Sequence, residues 1–165
     1  METLYLVRHA KSSWKYPELD DFERPLNRRG RESLESMGEL LKEMKAAPDL
    51  IISSPATRAA VTARIIADRI HYPLEKILYS ESIYLSDSDV LLRFIQDIDD
   101  DVKEAMLIGH NPALTDLGNY ISNRQIGNIP TCGIFCVEFN ISSWKKIDER
   151  CGILKFFEFP GRQMS

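Results

Sequence analysis

Apolar and polar positions alternate along this chain in two periods, one typical of buried strands and one typical of amphipathic helices. Thr3–Val7 is a short, nearly continuous apolar run, as expected of a strand that is buried on both faces. The apolar residues from Leu34 to Met44 recur at helical spacing, which predicts a helix that Asn27 caps and that runs to about Lys45. The further elements predicted in chain order are the strand Leu50–Ser53, the helix Pro55–Ile70, the strand Ile77–Tyr79, the helix Val90–Ile98, the strand Ala105–Ile108, the helix Pro112–Ile121 and the strands Gly133–Phe139 and Ile153–Phe159.

This alternation predicts a three-layer α/β fold, in which a mostly parallel, twisted sheet carries helices on both faces. Gly133–Phe139 and Ile153–Phe159 have no helical segment between them, so we expect them to form an antiparallel pair. The chain has no stretch rich in Ser, Gly or Pro and no internal repeat, so residues 1–165 are expected to form a single domain.

Composition excludes several functional classes. The 165 residues include 21 Lys and Arg against 25 Asp and Glu, and the resulting charge of −4 excludes a generally basic nucleic-acid binder. The shares of apolar residues, 44%, and charged residues, 28%, are typical of a soluble globular protein. Every apolar run is far shorter than the roughly 20 residues that span a bilayer, so no membrane association is expected. Residues 1–10 lack a basic region followed by a cleavage site, so we expect no signal peptide.

The cysteines favour a reducing environment. Cys132, Cys136 and Cys151 are too few, and odd in number, for a disulfide framework, so a cytoplasmic location is expected. Cys132 and Cys136 lie four residues apart on a predicted strand, and we interpret them as small apolar residues that share one face of it.

Two histidines and two arginines follow the predicted parallel strands. Arg8 and His9 follow the first strand, Arg58 lies one turn into the helix after the second, and His110 follows the fourth. Because ligands of open α/β sheets bind beyond the carboxyl ends of the strands, we expect these four side chains to gather at one edge of the sheet.

The two strand-to-helix junctions predict an anion site at the same edge. Ser54 and Asn111 are good N-caps, and Pro55 and Pro112 suit the first helical position, so both helices should begin directly after a strand. Free backbone N–H groups at helix N-termini attract anions. Arg58 would lie in such a positive first turn, where the helix dipole disfavours a cation unless an anion binds beside it. The sequence therefore predicts a pocket for a dianionic phosphoryl group.

Each of these side chains also has a purely structural interpretation. A single histidine at a strand end is more often a hydrogen-bonded structural residue, and Arg8 alone suits a surface salt bridge. Arg58 alone suits an ion pair with a neighbouring acid as well as it suits a ligand contact. His71, near a helix C-terminus, is interpreted as a surface residue. Because four such residues gather at one edge, their joint arrangement favours a functional site.

Metal binding is the alternative use of paired histidines. No closely spaced histidine pair and no carboxylate-rich set accompanies them, and two arginines would repel a divalent ion, so no metal is expected. The acidic residues between Asp97 and Asp101 are expected to end a helix in water rather than to hold a cation.

The segment Leu6–Ala10, LVRHA, resembles the L-x-R-H-G signature of the histidine phosphatase superfamily, which includes the phosphoglycerate mutases. The resemblance covers nearly the whole chain, and the short length together with R-H-A and G-H-N-P is most similar to the small SixA-type branch of phosphohistidine phosphatases. It implies a phosphoglycerate mutase-like fold. The other matching residues are Arg24-Pro25-Leu26-Asn27 with Gly30, Ser53-Ser54-Pro55 with Arg58, Thr62 and Ala63, and Gly109-His110-Asn111-Pro112.

The resemblance also implies roles for matching positions. His9 would be the nucleophile that forms a phosphohistidine intermediate, and Arg8, Arg58 and His110 would hold the phosphoryl oxygens. Lys15 stands where the mutase-like pattern has a phosphate-contacting Asn, and it would either contact the phosphate or be solvated.

The general acid is the part of the family pattern that the sequence does not supply. Many members place a Glu or Asp after the third strand as a proton donor. The corresponding segment here contains Glu81, Asp87 and Asp89, and none of them aligns with that role. We expect either a site without a general acid or one into which one of these carboxyls swings.

These observations together predict a metal-independent phosphatase that uses His9 and no cofactor, with His110 as a further positive donor if it is protonated. The short chain leaves little length for a lid, and an open pocket suits a phosphorylated side chain of another protein, such as phosphohistidine. The alternatives are a phosphomonoesterase that acts on a small phosphorylated metabolite and a non-catalytic phosphate-binding module. A monomer is expected.

Overall fold

The structure is a computed structural model that describes residues 1–162. Its six strands form one sheet in the order β3-β2-β4-β1-β5-β6. The strands are β1 (Glu2–Arg8), β2 (Leu50–Ser53), β3 (Leu78–Tyr79), β4 (Glu104–Gly109), β5 (Ile134–Phe139) and β6 (Ile153–Glu158).

The first strand of the chain lies in the middle of the sheet. In β1, Leu4 pairs in a parallel register with Ala105 of β4 and in an antiparallel register with Val137 of β5. β2 is parallel to both β4 and β3, and β6 is antiparallel to β5. Among the described strands only β5 opposes the common direction, which confirms both the mostly parallel sheet and the antiparallel pair.

Helices cover both faces of this sheet, as the pattern predicts. α1 packs against α2 on one face, and α4 packs against α5 on the other. The alternation along β1 shows how both faces are buried, because Tyr5 and Val7 enter the core beneath α1 and α2 while Leu4 and Leu6 enter the core beneath α4 and α5. The helices are α1 (Arg28–Glu43), α2 (Thr57–Arg69), α3 (Glu81–Tyr84), α4 (Ser88–Gln96) and α5 (Ala113–Ile121).

Two helices begin later than the sequence predicts. α2 starts at Thr57 rather than at Pro55, and Ser54 does not cap it. Instead the Ser54 Oγ accepts the N–H of Ala56 at 3.2 Å and forms a tight turn between strand and helix. The predicted anion site at this helix start therefore lies two residues further along the chain than expected.

The second junction differs in the same way. α5 starts at Ala113, after Pro112, and the Asn111 Oδ1 accepts hydrogen bonds from both the N–H and the hydroxyl of Thr115, at 3.2 and 2.8 Å. Asn111 thus closes the first turn of this helix from outside it. By contrast, the predicted cap of α1 is confirmed, because the Asn27 side chain accepts the N–H of Gly30 at 2.8 Å.

Other interpretations of the sequence have mixed outcomes. Cys132 does not lie on the strand, since it precedes β5 in a left-handed conformation with φ 62°, yet it is buried with Cys136 in one core. Burial raises the pKa of each of these two thiols to about 12. The acidic residues from Asp99 to Asp101 are exposed after α4, as expected. None of the helices within residues 1–162 is long and apolar enough to cross a membrane.

Candidate active site

A cavity of about 510 Å³ opens at the carboxyl edge of the sheet, and we call it the rim cavity. All the candidate residues from the sequence line it, namely Arg8, His9, Lys15, Arg58 and His110. They come from the segments that follow β1, β2 and β4, as expected for side chains at the carboxyl ends of parallel strands. The other lining residues are Lys11, Ser12, Ser13, Trp14, Arg24, Asn27, Asn111 and Thr131.

His9 presents an unprotonated ring nitrogen. Its Nδ1 lies 2.8 Å from the carbonyl oxygen of Ala10, and because a carbonyl can only accept, Nδ1 carries the ring proton. Nε2 therefore keeps its lone pair. Burial lowers the pKa of His9 to about 3, so the imidazole is neutral at neutral pH. This ring has the tautomer and the charge that a nucleophile needs.

The backbone around His9 is fixed by both neighbours of β1. The N–H of His9 donates to the carbonyl of Gly109, the last residue of β4, at 3.2 Å. The N–H of Cys132, before β5, is 3.0 Å from the carbonyl oxygens of both Arg8 and His9. The nucleophile candidate is therefore held on a rigid element of the sheet.

Arg8 has a buried donor, Nε, without a hydrogen-bond partner among the described residues. Its Nη1, by contrast, donates to the carbonyl of Ile129 at 3.0 Å. A buried donor without a partner destabilises the protein by roughly 1–3 kcal/mol, so an anion in the cavity would satisfy a group that the fold leaves open.

His110 is a neutral residue of this site rather than an imidazolium. Its ring centroid lies 5.1 Å from that of His9, and burial lowers the pKa of His110 to about 4. The condition under which the sequence made His110 a positive donor, its protonation, is therefore not met in the free protein at neutral pH. Desolvation outweighs any gain from the Asp21 carboxylate, and the nearby Arg58 acts in the same direction as desolvation.

Ser54 selects the tautomer of His110. The His110 Nε2 lies 2.8 Å from the Ser54 Oγ, which already accepts the N–H of Ala56. The hydroxyl of Ser54 has no other acceptor among the described residues, so it donates to Nε2. The ring proton of His110 then lies on Nδ1, which is buried and has no hydrogen-bond partner among the described residues.

Arg58 meets its anion within the protein. Its Nη1 donates to the backbone carbonyl of Asp21 at 2.6 Å, and its Nη2 donates to the Asp21 Oδ2 at 2.9 Å. The ion pair that the sequence left as an alternative is therefore present. The guanidinium, 7% exposed, lines the rim cavity as well, so the pair orients this cation rather than removing it from the site.

Asp21 is held ionised at the edge of the cavity. The hydroxyl of Tyr84 donates to its Oδ2 at 2.7 Å, and the Arg24 Nη1 donates to its Oδ1 at 2.9 Å. The hydrogen bond from Tyr84, followed by those from Arg58 and Arg24, holds the pKa of this carboxyl well below its usual range. Asp21 is therefore a positioning group and holds no proton to donate at neutral pH.

Arg24 shapes the wall of the cavity. It is buried and donates to the Ser12 Oγ and, at 3.2 Å, to the carbonyl of Ser13. Its guanidinium carbon lies 3.4 Å from the ring centroid of Trp14, whose other side is open to solvent. Lys15 follows in the same loop with an exposed side chain, and its N–H donates to the Ser13 Oγ at 3.1 Å.

Thr62 joins the two halves of the site. Its buried hydroxyl accepts the N–H of Ala10 at 3.0 Å and donates to the carbonyl of Arg58 at 2.7 Å. The residue that fixes the His9 ring and the helix that carries Arg58 are therefore held at a fixed separation by one side chain.

The three carboxyls considered as general acids lie elsewhere. Glu81, Asp87 and Asp89 are exposed, and none is among the residues that line the rim cavity. The Asp87 Oδ1 accepts the N–H of Val90 at 2.9 Å and so caps α4. Within residues 1–162, moreover, no group of three or more His, Cys, Asp or Glu side chains is placed to hold a metal ion.

Comparison with known proteins agrees with this geometry. Residues 4–77 match the family model of the histidine phosphatase superfamily (branch 1). The crystal structure of a protein from Agrobacterium tumefaciens, assigned as the phosphohistidine phosphatase SixA, superposes with a TM-score of 0.83 at 27% identity, over 96% of this chain and 98% of that one. Residues 4–77 are thus similar to the histidine phosphatase superfamily, and the fold of the whole chain is similar to that of the SixA protein. The chain has the phosphoglycerate mutase-like α/β fold that the sequence predicts, and its similarity to these proteins supports a phosphatase.

Further proteins are similar to this chain in sequence or in fold. An uncharacterized protein of Mycobacterium leprae is 29% identical over 93% of this chain and 99% of its own length. Phosphoglycerate mutase 1 of Saccharomyces cerevisiae is 37% identical, but over only 46% of this chain and 33% of the mutase. The protein histidine phosphatase SixA in complex with tungstate shares the fold at a TM-score of 0.82 and 19% identity.

Sequence reasoning missed Asp21 and Tyr84, which bind groups of the site, and it missed the contact of Ser54 with His110. Asp21 carried a signal, since a carboxyl three residues before Arg24 could reach an arginine of the site, but only the fold shows which arginine. Tyr84 carried none, because the four residues of α3 are too few for a periodic pattern. Ser54 was expected to cap a helix, and its contact with His110 joins residues that are far apart in the chain.

Proposed function

We propose that the protein is a metal-independent phosphohistidine phosphatase whose nucleophile is His9. The observation that carries this proposal is the tautomer of His9, which leaves a lone pair on Nε2. The cavity that His9 lines is also lined by Arg8 and His110, each of which has a buried donor without a partner among the described residues. A phosphoryl group near Nε2 would meet the donors that its equatorial oxygens need in an in-line displacement.

Two displacements complete the reaction. The His9 Nε2 attacks phosphorus, a P–N bond forms, and the P–N bond of the substrate breaks with its electron pair going to the substrate nitrogen. His9 keeps its proton on Nδ1, and the carbonyl of Ala10 that accepts this proton stabilises the charged phosphoimidazole. Water then attacks phosphorus, His9 leaves as neutral imidazole, and the protons of the water pass to phosphate and solvent.

The kind of leaving group that the site can release depends on whether a carboxyl can donate a proton to it. Asp21 is held ionised, and Asp87 caps a helix, so neither supplies a proton to an alkoxide. An imidazole that is protonated on its other nitrogen departs as a neutral molecule and needs no such acid. The exposed residues at the mouth of the cavity, Trp14 and Lys15, leave room for a phosphorylated side chain presented by another protein.

The test is chemical trapping followed by a substrate series. Rapid quenching with labelled phosphohistidine peptide should give acid-labile, base-stable phosphate on His9, and His9→Ala should give none. For aryl and alkyl phosphates of rising leaving-group pKa, kcat/KM should decline steeply. Label on serine or cysteine would refute the nucleophile, and a flat series would favour a small phosphomonoester as substrate.

A chelator experiment tests the absence of a metal from the mechanism. Because arginines and lysines line the cavity, a divalent cation would be repelled there. EDTA should leave the hydrolysis of an aryl phosphate unchanged, and vanadate should inhibit it. Loss of activity in EDTA that a divalent ion restores would contradict the proposal.

A further inference from the structure

A second cavity of about 380 Å³ adjoins the rim cavity, and we call it the flanking groove. Lys11 and Thr131 line both cavities, so the two lie side by side across these residues. Beyond these shared residues the groove is walled by Arg29 and Ser33 of α1 and by Pro160. A ligand whose phosphoryl group occupies the rim cavity could therefore extend across Lys11 into this groove.

The flanking groove is positively charged. The side chains of Lys11 and Arg29 are exposed, and neither pairs with a carboxylate of the described residues. Glu32 also lines the groove, but the Arg28 Nε lies 3.0 Å from its Oε1 and offsets its charge. Lys15 is exposed and lines the rim cavity, so exposed cations line both cavities of a protein whose net charge is −4.

The groove differs from a phosphate site in its construction. In the rim cavity, Arg8, His110 and Arg58 supply donors that are buried. In the flanking groove the cations are exposed and lie on separate segments, with two prolines and a threonine between them. Such spaced, solvated cations match carboxylates that are distributed along a flexible chain better than they match one compact dianion.

We propose that the flanking groove binds acidic residues of the substrate polypeptide next to the phosphorylated side chain. This inference rests on the proposed function, since it assumes a protein substrate at the same site. The net negative charge of the protein disfavours the binding of acidic partners in general. The groove would favour those partners whose acidic residues lie next to the phosphorylated side chain, because its positive charge is local.

A neighbouring arginine provides a matched control. Arg29 and Arg31 are both exposed near the start of α1. Two residues on a helix correspond to a rotation of about 200° about its axis, so the two side chains leave the helix on nearly opposite sides. Arg29 lines the groove and Arg31 does not. Arg29→Ala and Arg31→Ala therefore remove the same charge from the same helix, and only the first removes it from the groove.

The experiment measures kcat/KM for phosphohistidine peptides that are identical except for Glu or Gln at the flanking positions. For the wild type the ratio of Glu to Gln peptide should be about tenfold at low salt and should approach one at high salt. Arg29→Ala should lower the ratio by up to about fivefold, and Arg29→Glu should lower it further. Arg31→Ala should leave it unchanged.

Several outcomes would overturn the proposal that the flanking groove binds acidic residues. They are a wild-type ratio near one, an equal effect of Arg29→Ala and Arg31→Ala, or an effect of Arg29→Ala confined to a small molecule with two phosphates. Should phosphohistidine peptides not be hydrolysed, the proposed function fails by itself. Calorimetric binding of the same two peptides to His9→Ala then decides the groove, because tighter binding of the Glu peptide supports it and equal binding refutes it.

Discussion

At the residue scale, single hydrogen bonds decide which nitrogen each imidazole of the site presents. The carbonyl of Ala10 fixes the proton of His9 on Nδ1, and the hydroxyl of Ser54 fixes the proton of His110 on Nδ1 as well. With both rings neutral, the positive charge of the site comes from guanidinium groups, which stay protonated at any physiological pH.

Removal of the Arg58 side chain should lower kcat/KM for an aryl phosphate by about 10²–10³, because it deletes a pre-organised donor at the transition state. Arg64→Ala is the control, since Arg64 is exposed on the same helix and does not line the rim cavity. Steady-state kinetics measure the effect, and a cooperative thermal melt checks the fold. Near-normal kcat/KM in Arg58→Ala would contradict the placement of this residue.

Ser54→Ala should lower kcat about tenfold with little change in KM, because the ring of His110 then loses the donor that fixes its tautomer. Ser54→Thr keeps the hydroxyl and should retain most of the activity. NMR of labelled histidine should show that the ring proton of His110 moves only in the alanine variant. Equal losses of kcat in the two variants would mean that volume, not the hydroxyl, matters at this position.

At the element scale, the start of α1 and the loop after β1 form one unit. The Asn27 N–H donates to the carbonyl of Lys11 at 3.0 Å, and its side-chain amide donates to the carbonyl of Ser12 at 3.2 Å. Gly30, in the first turn of α1, packs directly against the Lys11 carbonyl. The helix end thereby sets the course of the loop that walls the rim cavity.

Gly30→Ala should destabilise the protein by about 1–3 kcal/mol, because the added Cβ would overlap the carbonyl of Lys11. The loss should exceed the gain in helix propensity that alanine brings. Gly127→Ala is the control, since a Cβ there meets no atom within 4 Å. Urea denaturation measures both variants, and equal midpoints would show that the loop moves aside without cost.

The elements show what periodicity does and does not encode. The helix α1 and the strand β1 were predicted to within two residues, because both present long apolar patterns. The starts of α2 and α5 were wrong by two residues and one residue. Ser54 binds the turn before α2, and Asn111 binds Thr115 from two residues before the start of α5. Candidate residues at strand ends were brought together as expected, whereas contacts such as Asp21 with Tyr84 depend on loops that no pattern describes.

At the scale of the whole molecule, burial of two histidines couples stability to pH. The pKa values of His9 and His110, about 3 and about 4, lie below the value near 6.5 of an unfolded histidine. The unfolded chain therefore binds more protons than the folded protein between these limits. The sign is that stability rises with pH through this window and falls on acidification.

The melting temperature should accordingly fall by roughly 5 °C or more between pH 7 and pH 5, from a loss of about 1–2 kcal/mol for each histidine. Calorimetry at several pH values measures it. The double variant His9→Gln, His110→Gln should show a much flatter dependence in the same interval, and each single variant should show an intermediate one. A wild-type melting temperature that does not change over this range would contradict the low pKa values.

The position of β1 at the centre of the sheet has a consequence for how the protein is made. The strand that carries Arg8 and His9 is synthesised first, yet both of its partners, β4 and β5, come from the second half of the chain. Such pairing has a high contact order, so loop-closure entropy opposes it until the distant partners are available. A nascent chain still lacking β5 holds its N-terminal strand unpaired on one edge, exposed to aggregation or to chaperones. Catalytic competence therefore arises only at the end of folding, and enzymatic activity reports that the molecule is complete.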